Sequence, residues 1–544
     1  MAVSTASDDS FKKAEKWLGN CLRSHEKCGP GDDVALPKRL ISVEGDKIRL
    51  VETSPEEKSR YVCLSYRWGD DMNFTTTTYT RALRMEGIQW DELPATLRDA
   101  IFITRKLGIP YIWIDALCIL QDDTNDWDEQ SAQMVFIYQN AYLTICAESS
   151  NGAHAGIFSE AAWPDCFLGH FEGLRFFVRV DPHQWMGNSR APEAFNPLET
   201  RAWTYQEFLL SRRCLHFGAQ EIHWSCRESN HLTEPLCECE TPERGRDTGY
   251  SKVAGTHISF YDDGQNIANE WYRVLQNYTR RKLTYDTDKL PALSGIAKYC
   301  LARRDSDDQY LAGLWRKSLV EDLCWFHHTE VQYGFPGTAA YARRPESYCA
   351  PTWSWASVVS TTSCKTWSDE KNTIPFDELV NTFCNIHDAS CVLKGLDPTG
   401  RVSGGVIDIS GPILEGTLEP GRYKTSDRYG IWLHDGFYEG SFAPDCLNDT
   451  SIPYGTVLSC LVLMETVSTH SSSLGLLALR RCPEWTEARP VYSRLGFTII
   501  IKPNPHNDDV HPDLPDTNDP KVLKEMEDYT FQWDKANNTR ILLV

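Results

Sequence analysis

The chain has 544 residues, 41% apolar, 24% charged and 11% aromatic, ordinary globular usage that excludes a fibrous or disordered protein. Fifty-five basic side chains against 76 acidic ones give a net charge of −21. That charge repels phosphate backbones and anionic lipid, so nucleic acid and membrane surfaces are disfavoured as partners, while a local basic pocket for a small anion stays open.

At roughly 150 residues per domain the length suggests about three to four units, large enough to need no covalent staples. No apolar run reaches the roughly 18 residues that span a bilayer. The opening MAVSTASDDSFKKAEKW has no apolar core of a secretory signal. A cytoplasmic location is therefore expected, with the 19 cysteines as thiols.

Residues 1–60 predict a polar amphipathic helix and then a hairpin, RLISVEGDKIRLVET, turning at Gly45-Asp46. YVCLSY (61–66) is an apolar strand, followed by the polar loop RWGDDMNFTTTT. LPATLRDAIFITRKLG (93–108) has helical spacing and a glycine stop. YIWIDALCIL (111–120) is nearly continuous in apolar residues and predicts a strand buried on both faces. A helix from Asp122 to Ala141 and a strand, AYLTICAES (141–149), complete the alternation.

Alternating strands and helices predict an α/β core built on an open parallel sheet. Ligands in such sheets bind beyond the carboxyl ends of the strands. Further on, TRAWTYQEFLLSRRCLHFG reads as a helix, EIHWSCRES as a strand, and WYRVLQNYTRRKLTYDTDKLPALSGIAKYC as two helices. Beyond 350, APTWSWASV, GVIDISG, LSCLVLMETV, YSRLGFTIII and RILLV predict a mostly antiparallel β domain. The expected layout is an N-terminal helix and hairpin (1–60), the α/β core (61–210), a helical extension (211–345) and a β-rich C-terminal domain (346–544), α+β overall.

The carboxyl ends of the first two core strands carry the candidate ligand contacts. Ser65, Tyr66, Arg67, Trp68, Gly69 and Asp70 follow the first. Trp68 suits stacking on a ring, Arg67 suits a pyrophosphate, and Gly69 suits close backbone approach. The alternative is a turn whose tryptophan plugs the sheet edge. Gln121, Asp122 and Asp123 follow the second, as ribose or amide contacts or as helix caps. Asp115, set in an apolar segment, needs a partner; Arg98, Arg67 and Arg201 are the arginines available, and the pair would be structural. Cys118 belongs to the core. Arg201, Trp203, Gln206, Glu207 and Arg212 form a dense polar cluster, either a binding site or a clamp between helix and sheet.

Metal sites score poorly. Cys21, His25 and Cys28 have tolerable ligand spacing, but no fourth partner is evident. His223, Cys226, His231, Cys237 and Cys239 form a looser group. No resident metal or cofactor is assigned. G-x-x-x-x-G-K-[ST], a strand-to-helix G-x-G-x-x-G and G-x-S-x-G are all missing from the sequence, which argues against a P-loop NTPase, a dehydrogenase and an elbow hydrolase.

SYRWG, WIDALCILQ and RAWTYQE in this order resemble the fungal heterokaryon-incompatibility (HET) domain over about residues 60–210. The resemblance implies fungal self/non-self recognition and regulated cell death, with a protein partner or self-association for activation. HET domains are in turn similar to Toll/interleukin-receptor (TIR) domains, several of which cleave NAD at the nicotinamide glycosidic bond. NAD is then the implied substrate, and the candidate catalytic carboxylates are Glu129, which lies after Trp127 in the first turns of a helix, and Glu207. Helical phase turns Gln130 inward and sets Glu129 about 100° around. Two other readings stay open: a non-enzymatic signalling module that self-associates, and a small-molecule enzyme of secondary metabolism reusing the same pocket.

Overall fold

The computed structural model of the chain describes residues 4–70, 73–160, 167–171, 174–177, 196–228, 260–261, 267–327, 342–360, 364–366, 379–420, 429–433, 439–446, 452–467, 471–483, 489–503 and 538–544. They fall into two units. One comprises Met1–Glu270, Arg281–Leu283 and Ala292–Ile296; the other comprises Trp271–Arg280, Thr284–Pro291 and Ala297–Val544. His231, Cys237 and Cys239 lie outside the described residues.

The first unit opens with α1 (Asp8–Ser24), capped by the Ser7 side chain accepting from Ser10 N. Its buried Phe11, Ala14, Trp17, Leu18 and Cys21 recur every three or four residues, the spacing of a single helix face. The predicted hairpin forms as β1 (Arg39–Ser42) and β2 (Arg49–Glu52), with Gly45 at φ +71° in the turn. Next come β3 (Tyr61–Ser65), buried throughout, α2 (Ala95–Lys106) and β4 (Tyr111–Trp113). They are followed by α3 (Thr124–Asn140), β5 (Leu143–Cys146) and α4 (Ala202–Leu210). The last two strands are β6 (Arg213–Phe217) and β7 (Ile222–Cys226).

These strands make one seven-stranded sheet in the order β7-β6-β5-β3-β4-β1-β2. The central pairs β6–β5, β5–β3 and β3–β4 are parallel. Antiparallel strands edge it on both sides, β7 on β6 and β1 on β4. The sheet is therefore mixed, and it draws strands from residues before 61 and after 210. From β3 the chain passes through α2 to β4 on one side, and from β4 through α3 to β5 on the other. The winding reverses beside β3, which is where an open α/β sheet leaves a crevice at its carboxyl edge.

The strand expected over 111–120 stops at Trp113. Leu117 and Cys118 N–H groups donate to Ile114 O, and a one-turn helix, Asp115–Cys118, follows. The apolar run there reflects burial in a turn, which hydropathy alone does not distinguish from a buried strand.

The two expected helices are α5 (Ile267–Thr279) and α6 (Pro291–Leu301). The β-rich part contains β8 (Leu379–Thr382), β9 (Asn385–Leu393), β10 (Val402–Pro420), β11 (Tyr429–Leu433) and β12 (Glu439–Pro444). It continues with β13 (Val457–Val467), β14 (Ser471–Arg481), β15 (Val491–Pro503) and β16 (Asn538–Leu543). β10, β11, β12, β15, β14 and β13 pair in a ring that β13 closes back onto β10. Closure leaves the ring no free edge. Leu418, Ile431, Phe442, Cys460, Leu476 and Ala478 belong to the buried cluster of this sheet. Pairing is antiparallel, as expected, except for β15–β16.

Trp353 and Trp355 are fully buried, but not as alternate residues of a strand. Ser354 caps a 3-10 turn, Trp355–Ser357, and the Trp355 indole donates to Gly313 O at 3.0 Å. Buried Arg494 is neutralised by Asp445 at 3.0 Å and lies over the Trp325 ring at 3.5 Å.

Candidate active site at the carboxyl edge of the sheet

Asp115 and Glu207 lie within electrostatic reach of each other beyond the carboxyl ends of β3 and β4. The turn after β4 presents Asp115, whose Oδ1 accepts from Ala116 N at 2.7 Å. Its Oδ2 accepts from the Trp68 indole N–H at 2.8 Å. Trp68 reaches it from the loop after β3. The structural ion pair expected for Asp115 is therefore replaced by an indole hydrogen bond, and Arg201 acts on it electrostatically. Asp115 keeps part of its surface open to solvent, yet its surroundings are dense enough for desolvation to raise its carboxyl pKa. The Trp68 and Ala116 donors and the Arg201 charge oppose that rise.

Glu207 is supplied by α4 and is 6% exposed. Burial, and then the Asp115 charge, push its carboxyl up to about 7, against Ser65, Arg201 and Tyr138, which favour the ionised form. Desolvation together with a nearby like charge is the usual means of holding a carboxyl near neutral pH for acid–base work. Ser65 Oγ and Tyr66 Oη are buried with no hydrogen bond of good geometry, although Ser65 helps to stabilise the Glu207 carboxylate and Tyr66 that of Asp115. Buried hydroxyls in that condition are uncommon; Ser65 ends β3 and Tyr66 is the first residue past it.

Arg201, the N-cap residue of α4, is half-buried and its guanidinium lies 3.5 Å from Tyr66 O. Arg67 and Trp68 are half-buried and Asp70 is exposed. Among the described residues Arg67 has no ion-pair partner. Gly69 has a role different from the one expected. Its φ is +77° and a Cβ there would stand 3.1 Å from Gly152 Cα, so the missing side chain lets two loops cross, with Ala153 N donating to Trp68 O at 3.0 Å.

Residues 61–207 match the family model described as heterokaryon incompatibility protein (HET). The chain carries a HET domain. The match begins on the first residue of β3 and ends on Glu207. No curated protein and no solved structure matches the chain.

The remaining candidates of the HET domain are less directly placed. Glu129 is paired with Lys38 at 2.6 Å on a side chain 55% exposed, while Gln130 is buried, as helical phase required. Asp126 is buried against Arg39 and Leu120 N. Burial pushes its carboxyl pKa up, but those partners outweigh it and the net shift is downward. Gln121 donates to Asp115 O and Ile119 O at 3.1 and 3.2 Å, holding the Asp115 turn. Asp122 clamps Thr78 through its backbone N–H at 2.8 Å and hydroxyl at 2.6 Å. Asp123 caps α3. Gln206 accepts from Gly295 N at 2.6 Å, and Trp203 stands edge-on to Trp127 at 6.1 Å, so these two serve packing. Cys118 is buried and its thiol is pushed up to about 12 by desolvation, a core residue as expected.

Two features went unread in the sequence. Tyr138, four residues after Met134 on the inward face of α3, donates to Leu64 O at 3.2 Å and adjoins Glu207. Its position on that apolar stripe was the available signal. Glu148, past β5, contacts His216 Nδ1 at 2.9 Å, whose Nε2 is 2.7 Å from Ser225 Oγ. His223 stacks on His216 at 4.3 Å. This relay spans β5, β6 and β7, and no local motif announces it. Among the described residues, no helix is long and apolar enough to cross a membrane.

Proposed function

We propose that this HET domain cleaves NAD at the nicotinamide–ribose bond, with Asp115 and Glu207 as the working carboxylates. The observation that carries the reading is the Glu207 carboxyl, buried beside Asp115 and pushed up to about 7 where an α/β sheet binds ligands. In the reaction the C1′–N bond breaks and its electron pair leaves with nicotinamide, which departs neutral. The ribosyl centre becomes oxocarbenium-like, and the Asp115 carboxylate, favoured in its ionised form by the Trp68 indole, stabilises that charge. A water oxygen bonds to C1′, and its proton passes to the Glu207 carboxylate. Arg67 meets the pyrophosphate, a task suited to a guanidinium, and the partly exposed Trp68 flanks the ring.

Clustering or a protein partner would switch the activity on, and loss of the dinucleotide would be the killing step in fungal self/non-self recognition. The test is nicotinamide release by concentrated protein with a crowding agent, for wild type, Glu207→Gln, Asp115→Asn and Glu129→Ala. Release by wild type and Glu129→Ala, with loss in the other two and unchanged circular dichroism, is the expected pattern. No release by wild type, or full release by Glu207→Gln, overturns the reading and turns attention to a non-enzymatic module or another substrate.

A further inference from the structure

Three metal-ligating side chains from one short stretch and a fourth from far along the chain converge at the end of α1. Cys21 is in the last turn of the helix and His25 is its C-cap, four residues on and therefore on the same face. Cys28 closes a 3-10 turn that ends at Gly29, φ +67°. Cys226, the last residue of edge strand β7, supplies the fourth group that the N-terminal spacing lacked. All four residues are buried, and their ligand atoms lie within 4.8 Å of one another. His25 Nδ1 and Cys226 Sγ are 3.2 Å apart. Ordinary Zn–S and Zn–N bonds set tetrahedral ligand separations of about 3.5–3.8 Å, so side-chain rotations of a few tenths of an ångström to about an ångström suffice.

A second observation points the same way. Arg213 is 1% exposed. Its Nε donates to Cys21 Sγ at 3.2 Å, and its other nitrogens donate to Cys28 O, Gly29 O and Tyr142 O. No carboxylate pairs with it among the described residues. A buried cation in that position calls for an anion, and thiols are neutral.

We infer that Cys21, His25, Cys28 and Cys226 bind one zinc ion in a tetrahedral Cys3His site. Binding releases three thiol protons, and Zn2+ with three thiolates and a neutral imidazole carries one net negative charge, which Arg213 balances. An N–H donor on a ligating sulfur is the outer-shell contact such sites use. With four protein ligands the site is closed, hence structural. It ties α1 to the edge strand β7, covering an edge that would otherwise invite pairing. The site shares no residue with the Asp115–Glu207 pair, so its test is independent of the proposed activity.

The full chain, purified under reducing conditions without a metal-affinity tag, is analysed for zinc by mass spectrometry. One equivalent per chain is expected, released on thiol modification and with a lowered melting temperature after chelation. Cys226→Ser should lose the metal. Because that variant could fail to fold, His25→Cys provides a second measurement. It keeps four ligands, so it should retain zinc, and its cobalt-substituted form should gain thiolate-to-metal charge-transfer intensity over wild type while keeping tetrahedral d–d bands. Wild-type protein that holds no zinc and takes up none after reduction overturns the inference, as does a disulfide found among the three cysteines.

Discussion

Replacing Glu207 by glutamine should make the HET domain more stable at neutral and alkaline pH. A carboxyl moved from 4.5 to about 7 represents roughly 3 kcal/mol between its protonation states, at about 1.4 kcal/mol per pH unit. The group is buried, so solvent screening does not discount that figure much. For the sign, the folded protein holds the Glu207 proton up to pH 7 and the unfolded chain releases it near 4.5. Stability is therefore greatest below 4.5 as far as this group is concerned, declines between 4.5 and 7, and stays lowered above. Glutamine keeps the shape and most of the hydrogen bonding without the titration. The assay is thermal unfolding of wild type and Glu207→Gln at pH 5 and pH 8, followed by tryptophan fluorescence. The variant should gain several degrees on wild type at pH 8 and little at pH 5. An equal difference at the two pH values would refute the assignment of a strained, near-neutral carboxyl, whatever became of activity.

Three further expectations concern other parts of the chain. Arg494→Met leaves Asp445, at 1% side-chain exposure, with Arg344 at 3.5 Å in place of the closer Arg494, and should cost about 3 kcal/mol, the low end for a broken buried pair, read as a lower urea midpoint for the β-rich unit. In the Glu148–His216 pair, burial disfavours both charges, but the histidines hold Glu148 well below 4.5 and Glu148 lifts His216 to about 10. That stabilisation is complete between pH 4.5 and 6.5, fades between 6.5 and 10 as His216 deprotonates, and fades again in acid. His216→Gln should flatten the alkaline limb of a stability–pH curve. Gly69→Ala should destabilise by roughly 1–3 kcal/mol because strain adds to a backbone collision. Gly45→Ala, at φ +71° with nothing within 4 Å, should cost only about 1 kcal/mol; equal losses in chemical denaturation would refute the crossing-loop role of Gly69.

Local pattern made much of the fold legible. Helical spacing located α2 and α3 to within a few residues and gave α1 without bounds, and β3 and the Gly45 hairpin were plain because each is short, apolar or alternating, and bounded by turn residues. The failures share a cause. The apolar run at 111–120 hid the turn that delivers Asp115, since hydropathy reports burial and not backbone direction. β6 follows α4 after only Ser211 and Arg212, with no glycine or proline to mark the break, so RCLHF was read into the helix. APTWSWASV was read as a strand, yet Ser354 uses its hydroxyl to cap a turn, a competition between side chain and backbone that serine commonly wins.

The candidate site was legible residue by residue but not as a constellation. Asp115, Trp68, Arg201 and Glu207 were each singled out. Their convergence depends on the sheet order, which sets the loops after β3 and β4 beside α4. Cys226 completing the Cys21–His25–Cys28 group is the same kind of long-range fact. Glu129 was favoured by its place after a tryptophan in the opening turns of α3, but Lys38 from a distant segment holds it at the surface.

The most direct test of the central claim is the pH dependence of nicotinamide release by the concentrated full chain supplied with NAD. If Glu207 takes the proton of the attacking water, release should rise with pH along a limb with an apparent pKa near 7, and Glu207→Gln should remove the activity across the whole range. Release that does not change between pH 5 and 9, or that survives intact in Glu207→Gln, would contradict the account.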